Sequence, residues 1–147
     1  MADAQAFHLV SWLILMRADG RVLLARRAPG QLGEGRWGLP GGHAHDTETL
    51  AQAAVREAWE EVGVQADARH AVPLGAVRYV DGDVRGLDVY FRVTAWRHDP
   101  YPRAECSEVA WFMPHDLPPD VLPWLPDTLP RLLDAPPGSA WLSETLH

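Results

Sequence analysis

Between Thr49 and Gly63 the chain carries its only long helical pattern, and that stretch constrains the fold more than any other. Thr47 or Thr49 opens it, with Thr49 and Gln52 at capping-box spacing, and Gly63 stands where a left-handed C-terminal cap is expected. With Glu57 set to zero on a wheel of about 100° per residue, Glu60 falls near 300° and Glu61 near 40°. Ala51, Ala54, Val55, Ala58 and Val62 occupy the adjoining stripe, between about 60° and 160°. The helix therefore predicts one apolar face for a sheet, with small alanines allowing close approach, and a carboxylate cluster beside it.

The remaining pattern is strands and turns. "HLVSWLILM" reads as a buried strand, Asp19-Gly20 is a hairpin signal, and "VLLARR" is the returning strand. Residues 28–42 hold six glycines and two prolines, which predicts a loop. "PLGAVRYV" and "LDVYFRVTAW" flank a turn at Asp81–Asp83, and "EVAWFM" is a further strand. From Pro114 onward there are eight prolines, so only short helical turns are expected, the best placed near Asp127–Leu133. No repeat, low-complexity tract or linker interrupts residues 1–147, which read as a single α/β domain.

Charge and cysteine content narrow the partners. A net charge of -7 disfavours a polymeric nucleic acid, whose phosphates want a basic surface. Small anionic ligands remain open if a cation mediates. All 13 basic residues are arginine, as GC-rich codon usage produces. The single Cys106 can form neither an internal disulfide nor a paired zinc site, which fits a reducing cytoplasm. The apolar run at residues 7–16 is short of the ~20 residues a spanning helix needs. No membrane partner is expected, and a monomer or homodimer is.

Three glutamates on one helix face admit two explanations. Exposed like charges cost only ~0.2–0.5 kcal/mol per pair, so a solvated acidic face is tolerable. Alternatively, oxygen ligands without His or Cys form a site for a hard cation such as Mg²⁺ or Mn²⁺. Spacing discriminates. Gly42, Glu48, Arg56, Glu57, Ala58, Glu60, Glu61, Gly63 and Val64 fill every defined position of a pattern that resembles the Nudix box, here residues 42–64. "GRWGLPGG" and "EVAWF" resemble its common flanks. His45 and Thr47 stand where many relatives have an acid and a glycine. His43 and His45 read as exposed loop histidines.

The resemblance implies a Nudix fold, an α/β/α sandwich around a mixed sheet, and hydrolysis of a diphosphate linked to another moiety, often a nucleoside. It implies Glu57 and Glu61 as direct metal ligands, Glu60 as a third, and a carbonyl of Gly41 or Gly42 to complete the shell. Arg56 becomes the ion-pair partner that orients the acids, with Glu48 among its contacts. A general base from outside the box falls to Glu108 by the "E-apolar-x-W-F" flank, with Glu105 second. The family also includes sugar-nucleotide and ADP-ribose pyrophosphatases and non-catalytic nucleotide sensors; the intact acid set speaks against a sensor.

On the substrate side, "GEGRWG" fits the loose G-x-G-x-x-G pattern, but Leu39-Pro40-Gly41-Gly42 follows where a helix would have to begin. Trp37, Tyr79, Trp111 and Trp124 can stack on a base, and core packing competes for each tryptophan. Trp124 with Asp127 resembles the late Trp-plus-acid segment of oxidised-purine Nudix enzymes. Gly38 stands where those enzymes have Asn after "RW". Arg26 is the substrate-side cation, since a guanidinium suits bidentate phosphate contact.

Overall fold

The computed structural model describes residues 6–147. Strand β1 (Phe7–Leu15) is buried continuously over its last six residues, Val10 to Leu15. Such a strand must be covered on both faces. It pairs with β4 (Gly41–His43) on one edge and runs parallel to β6 (Val84–Val93) on the other. With β5 (Val72–Asp81) and β8 (Trp141–Leu146) these make a five-stranded mixed sheet, ordered β4-β1-β6-β5-β8. A second, antiparallel sheet is ordered β3-β2-β7, from Trp37–Gly38, Val22–Arg27 and Cys106–Phe112.

Strand alternation divides the core in two. Leu13, Leu15 and Leu23 pack with Ala54, Ala58 and Val62 of α1 (Leu50–Val62). Their neighbours Trp12, Ile14 and Leu24 pack with Tyr90 and with Leu125 and Leu129 of α2 (Leu125–Asp134). The sheets thus lie between two helices, in the expected α/β/α order. The α1 ends are also as expected. Thr49 Oγ1 accepts from Gln52 N at 3.1 Å, Gln52 Oε1 accepts from Thr49 N at 2.8 Å, and Gly63 is left-handed at φ 70°.

Three expectations need correction. Asp19-Gly20 does turn the chain, with Gly20 at φ 88°, but only Met16 bridges Val22 before the strands part into different sheets. The apolar run of β1 needs a neighbour on each edge, and β4 and β6 supply them. The glycine-rich loop contains two short strands, β3 and β4. Finally, α2 is ten residues long and runs through Pro130, with Pro126 in its first turn where no N–H is needed. Beyond it β8 was not anticipated. Its edge position beside β5, in parallel register, is set by pairing rather than by its own short, half-polar sequence.

Candidate functional site

Helix α1 lies against β1 and β4, and this turns its acidic stripe inward. Ala53, on that stripe, is fully buried. The contact is close at both glycines: a side chain at 41 would strike backbone, and one at 42 would displace the Glu57 carboxylate. A Cβ on Gly42 would stand 2.5 Å from Glu57 Oε1, and one on Gly41 would meet Ser11 O at 2.5 Å. Gly41 N donates to Glu61 Oε2 at 2.8 Å. Burial pushes the Glu61 carboxyl up to about 8; the Gly41 N–H opposes this and the charge of Glu57 adds to it. Glu57 is also raised, first by burial, with Arg56 pulling it back. Two carboxyl groups therefore stand together in a poorly solvated site. Ser11 Oγ, on the α1-facing side of β1, is buried with no hydrogen-bond partner among the described residues.

Arg56 organises the surrounding acids. Its Nε and Nη2 donate to Glu48 at 3.0 and 2.8 Å, and its Nη1 reaches Glu57 and Glu60, each at 3.0 Å. Nη2 also donates to His43 O at 3.1 Å, tying the loop to the helix. Glu48 accepts His45 N at 2.9 Å, and the Arg56 hydrogen bonds hold its carboxyl down at about 2. Glu60 does not join Glu57 and Glu61. It lies on the far side of Glu57 from Glu61, about 60° round the helix, so its half-exposed carboxylate turns to Arg56 instead. Among the described residues no three His, Cys, Asp or Glu side chains converge as a ligand set. His8 Nδ1 and His43 Nε2 lie 3.0 Å apart, and His45 is exposed.

The acid from outside the helix also differs from expectation. Glu108 shares its strand face with Ala110 and Phe112, towards α2, while Val109 and Trp111 face α1. It pairs there with Arg26 at 3.0 Å. Arg26 further holds Asp120 at 2.9 Å and Gly35 O at 2.9 Å. Glu105 is the acid whose charge is felt at Glu57 and Glu61. The neighbour Arg27 faces the α1 side; its charge pulls Glu61 down. Cys106, beside Glu61, is pushed up to about 12, chiefly by burial.

On the α2 side, Trp12, Tyr79, Asp88, Tyr90 and Trp124 line a cavity of about 610 Å³, and Arg27 and Leu32 reach its edge. Trp124 and Tyr79 are thus placed at one cavity. Trp37 is not among its lining; it is buried edge-on to Phe112 in the core. Trp111 stacks on Trp96 beneath Arg17. Asp127 points to solvent and pairs with Arg131 at 3.0 Å, one helical turn on. Trp12, Asp88, Tyr90 and Arg27 escaped the sequence reading. Asp88 left a signal: it is the one acid in the apolar run "LDVYFRV", sharing a face with Tyr90.

The NUDIX domain family model matches residues 6–132. The chain belongs to the NUDIX family. It is 35% identical over 103 residues to an oxidized purine nucleoside triphosphate hydrolase of Danio rerio, covering 68% of this chain and 63% of that protein. The chain therefore spans a little under two thirds of that relative's length. An isopentenyl-diphosphate Delta-isomerase of Leifsonia xyli is 33% identical over 155 aligned positions, covering 91% of this chain and 80% of that one. Among solved structures, a MutT NUDIX hydrolase from Burkholderia pseudomallei superposes with a TM-score of 0.75 at 25% identity, over 86% of this chain and 98% of that one. Among the described residues of the NUDIX fold no helix is long and apolar enough to cross a membrane.

Proposed function

We propose that this NUDIX chain hydrolyses the diphosphate linkage of a nucleoside di- or triphosphate, or of a related nucleotide derivative, with Mg²⁺ or Mn²⁺. The observation that carries the reading is the pair Glu57 and Glu61, desolvated together against Gly41 and Gly42. An all-oxygen donor pair, desolvated beside one guanidinium that Glu57 shares with Glu48 and Glu60, fits a hard divalent cation. Glu57, Glu61 and a carbonyl of Gly41 or Gly42 would hold it. When bound it would neutralise the anhydride oxygens and lower the pKa of the attacking water.

The protein's own groups prepare that chemistry. Arg56 fixes Glu57 and anchors Glu48, which braces the loop carrying the glycines. Glu60 acts through Arg56. Glu105 takes over from Glu108 as the candidate base, because its charge reaches the paired acids. Arg27 stands between the acids and the cavity, suited to a substrate phosphate. Trp124 and Tyr79 serve the base. A lone, half-buried thiol at Cys106 fits a cytoplasmic setting.

Phosphate and pyrophosphate release tests the reading, across nucleoside di- and triphosphates, ADP-ribose, sugar nucleotides and isopentenyl diphosphate. Release from a nucleotide that depends on Mg²⁺ or Mn²⁺ and stops with EDTA is expected. Absence of release from every compound with either ion would overturn it, as would release indifferent to EDTA.

A further inference from the structure

The five-stranded sheet has two edges, β4, which is three residues long, and β8, which is six. Among the described residues no strand pairs with the outer side of β8. Edge strands are normally protected by shortness, a proline, a bulge or an exposed lysine. β8 contains no proline or lysine, and its ladder with β5 runs without a bulge. Its one charge, Glu144, is held by Arg78 of β5 at 3.0 Å. Leu142 and Leu146 on either side of it are 66% and 62% exposed. The other edge strands, β3, β4 and β7, expose no large apolar side chain.

We propose that β8 is a dimer interface, pairing antiparallel with β8 of a second copy of this chain about a two-fold axis at Glu144. Backbone direction supports the pairing. His147 N donates to Val80 O at 2.9 Å, so Trp141, Ser143 and Thr145, in phase with it, turn their N–H and C=O groups towards β5. Leu142, Glu144 and Leu146 turn theirs outward. An axis normal to the sheet keeps opposed residues on one face, and centring it on Glu144 sets Leu142 of each copy opposite Leu146 of the other. These are the residues with outward backbone groups, so each exchanges hydrogen bonds across the junction. Any extended peptide could satisfy that backbone. A second copy is favoured because the exposed face reads Leu, Glu, Leu in either direction. An axis at Ser143 would lose this match, setting Leu142 against Glu144.

Charge and position complete the argument. The two Glu144 carboxylates meet at the axis, each with its own Arg78 behind it, so the charges run Arg, Glu, Glu, Arg across the junction. On the opposite face of β8, Thr145 and His147 line the aromatic cavity. The pairing sets Ser143 and Trp141 of the other copy beside them. It joins the two five-stranded sheets into one continuous sheet, with a cavity on each side of the seam. Six residues a side make a small interface, so the dimer should dissociate on dilution.

Analytical ultracentrifugation of the full chain, without nucleotide or metal and from about 2 to about 200 µM, tests the assignment. The parent should move from 16.3 kDa towards twice that mass across the series. Glu144→Pro removes an outward N–H and leaves the ladder with β5 intact, so the variant should fold and its dimer should weaken at least about tenfold. Leu146→Glu, at a side chain already exposed, should weaken the dimer to a similar degree and stands in if the proline variant does not fold. Glu144→Gln removes the one like-charge pair of the junction and should tighten the dimer about twofold or more. A parent that remains at 16.3 kDa at about 200 µM overturns the proposal. So does a dimer whose affinity is unchanged in a folded Glu144→Pro or Leu146→Glu variant, because the interface would then lie elsewhere. Unchanged affinity in Glu144→Gln would overturn the register centred on that residue.

Discussion

The acid site under α1 and the cavity under α2 lie back to back across the sheets, yet they are assembled in opposite ways. The first draws on one continuous stretch, from Gly41 to Glu61, where a capped helix and two glycines fix every distance. The second collects Trp12, Tyr79, Asp88 and Trp124 from β1, β5, β6 and the start of α2. One is written in spacing, the other in strand register. A site of the first kind holds its geometry whatever happens to distant loops; one of the second kind changes whenever any of its elements changes.

The sharpest test of that division is Glu61→Gln. It removes a carboxylate from the acid pair, and we expect kcat to fall by on the order of 10²–10³ with metal present. Above about pH 8, where the parent's Glu61 carboxyl ionises in its desolvated place beside Glu57, the metal-free variant should melt no lower than the parent. A parental turnover number would remove Glu61 from the chemistry.

Gly42→Ala comes next. The added methyl meets the movable end of Glu57, not backbone, so the carboxylate should shift while the fold holds. We expect activity to drop about 10- to 100-fold, the range seen when support of a metal site is lost, with little change in Tm. A large loss of Tm with activity intact per folded molecule would show that the two sites are not separable here.

In the cavity, Trp124→Ala should raise KM by roughly tenfold, consistent with ~1–3 kcal/mol for stacking on a base. The ring is half-buried, 5.7 Å from Trp12 and 6.2 Å from Tyr90, so Tm should fall as well. Loss of Tm with parental KM would make the ring purely structural.

Asp88→Asn probes stability through pH. The Asp88 carboxyl is raised to about 6 in the fold, whereas in the unfolded chain it titrates near the ordinary ~3.9. Between those values the folded form holds the proton more tightly, so stability falls as pH rises through the window. The penalty is complete above about 6 and absent below about 4. The groups facing it, Trp12, Tyr90 and Tyr79, are neutral throughout. The variant should therefore be more stable than the parent by ~1–2 kcal/mol at pH 7.5 and gain nothing at pH 3.5, by denaturant unfolding. An equal gain at both values would exclude ionisation as the cause. Asp127→Ala should do least: its exposed pair with Arg131 is worth ~0.3–0.5 kcal/mol, and KM should not move. A raised KM would return Asp127 to the substrate.

Why one site was legible and the other was not follows from these particulars. Thr49, Gln52 and Gly63 announce the helix locally, and the spacing of Glu57 from Glu61 places both on one face without knowledge of the sheet. Glu60 shows the limit, because the sequence offered it both the acid cluster and Arg56, and only the fold shows that Arg56 holds it, at 3.0 Å. Glu108 was misplaced because the face of a strand depends on pairing, and here the ladder slips between Arg26 and Arg27. Asp88, Trp12 and Tyr90 are neighbours only through the pairing of β1 with β6. β8 was missed for the same reason.

That slip bears on how sequences of this kind can be compared at all. Arg26 and Arg27 are the same letter twice, but one is locked to Glu108 and Asp120 while the other faces the acids and the cavity. An alignment gap moved by a single column across this pair leaves the residue match perfect and exchanges two side chains with different partners. Substitution records gathered at these columns will mix two unrelated selective pressures unless the gap is set by strand register.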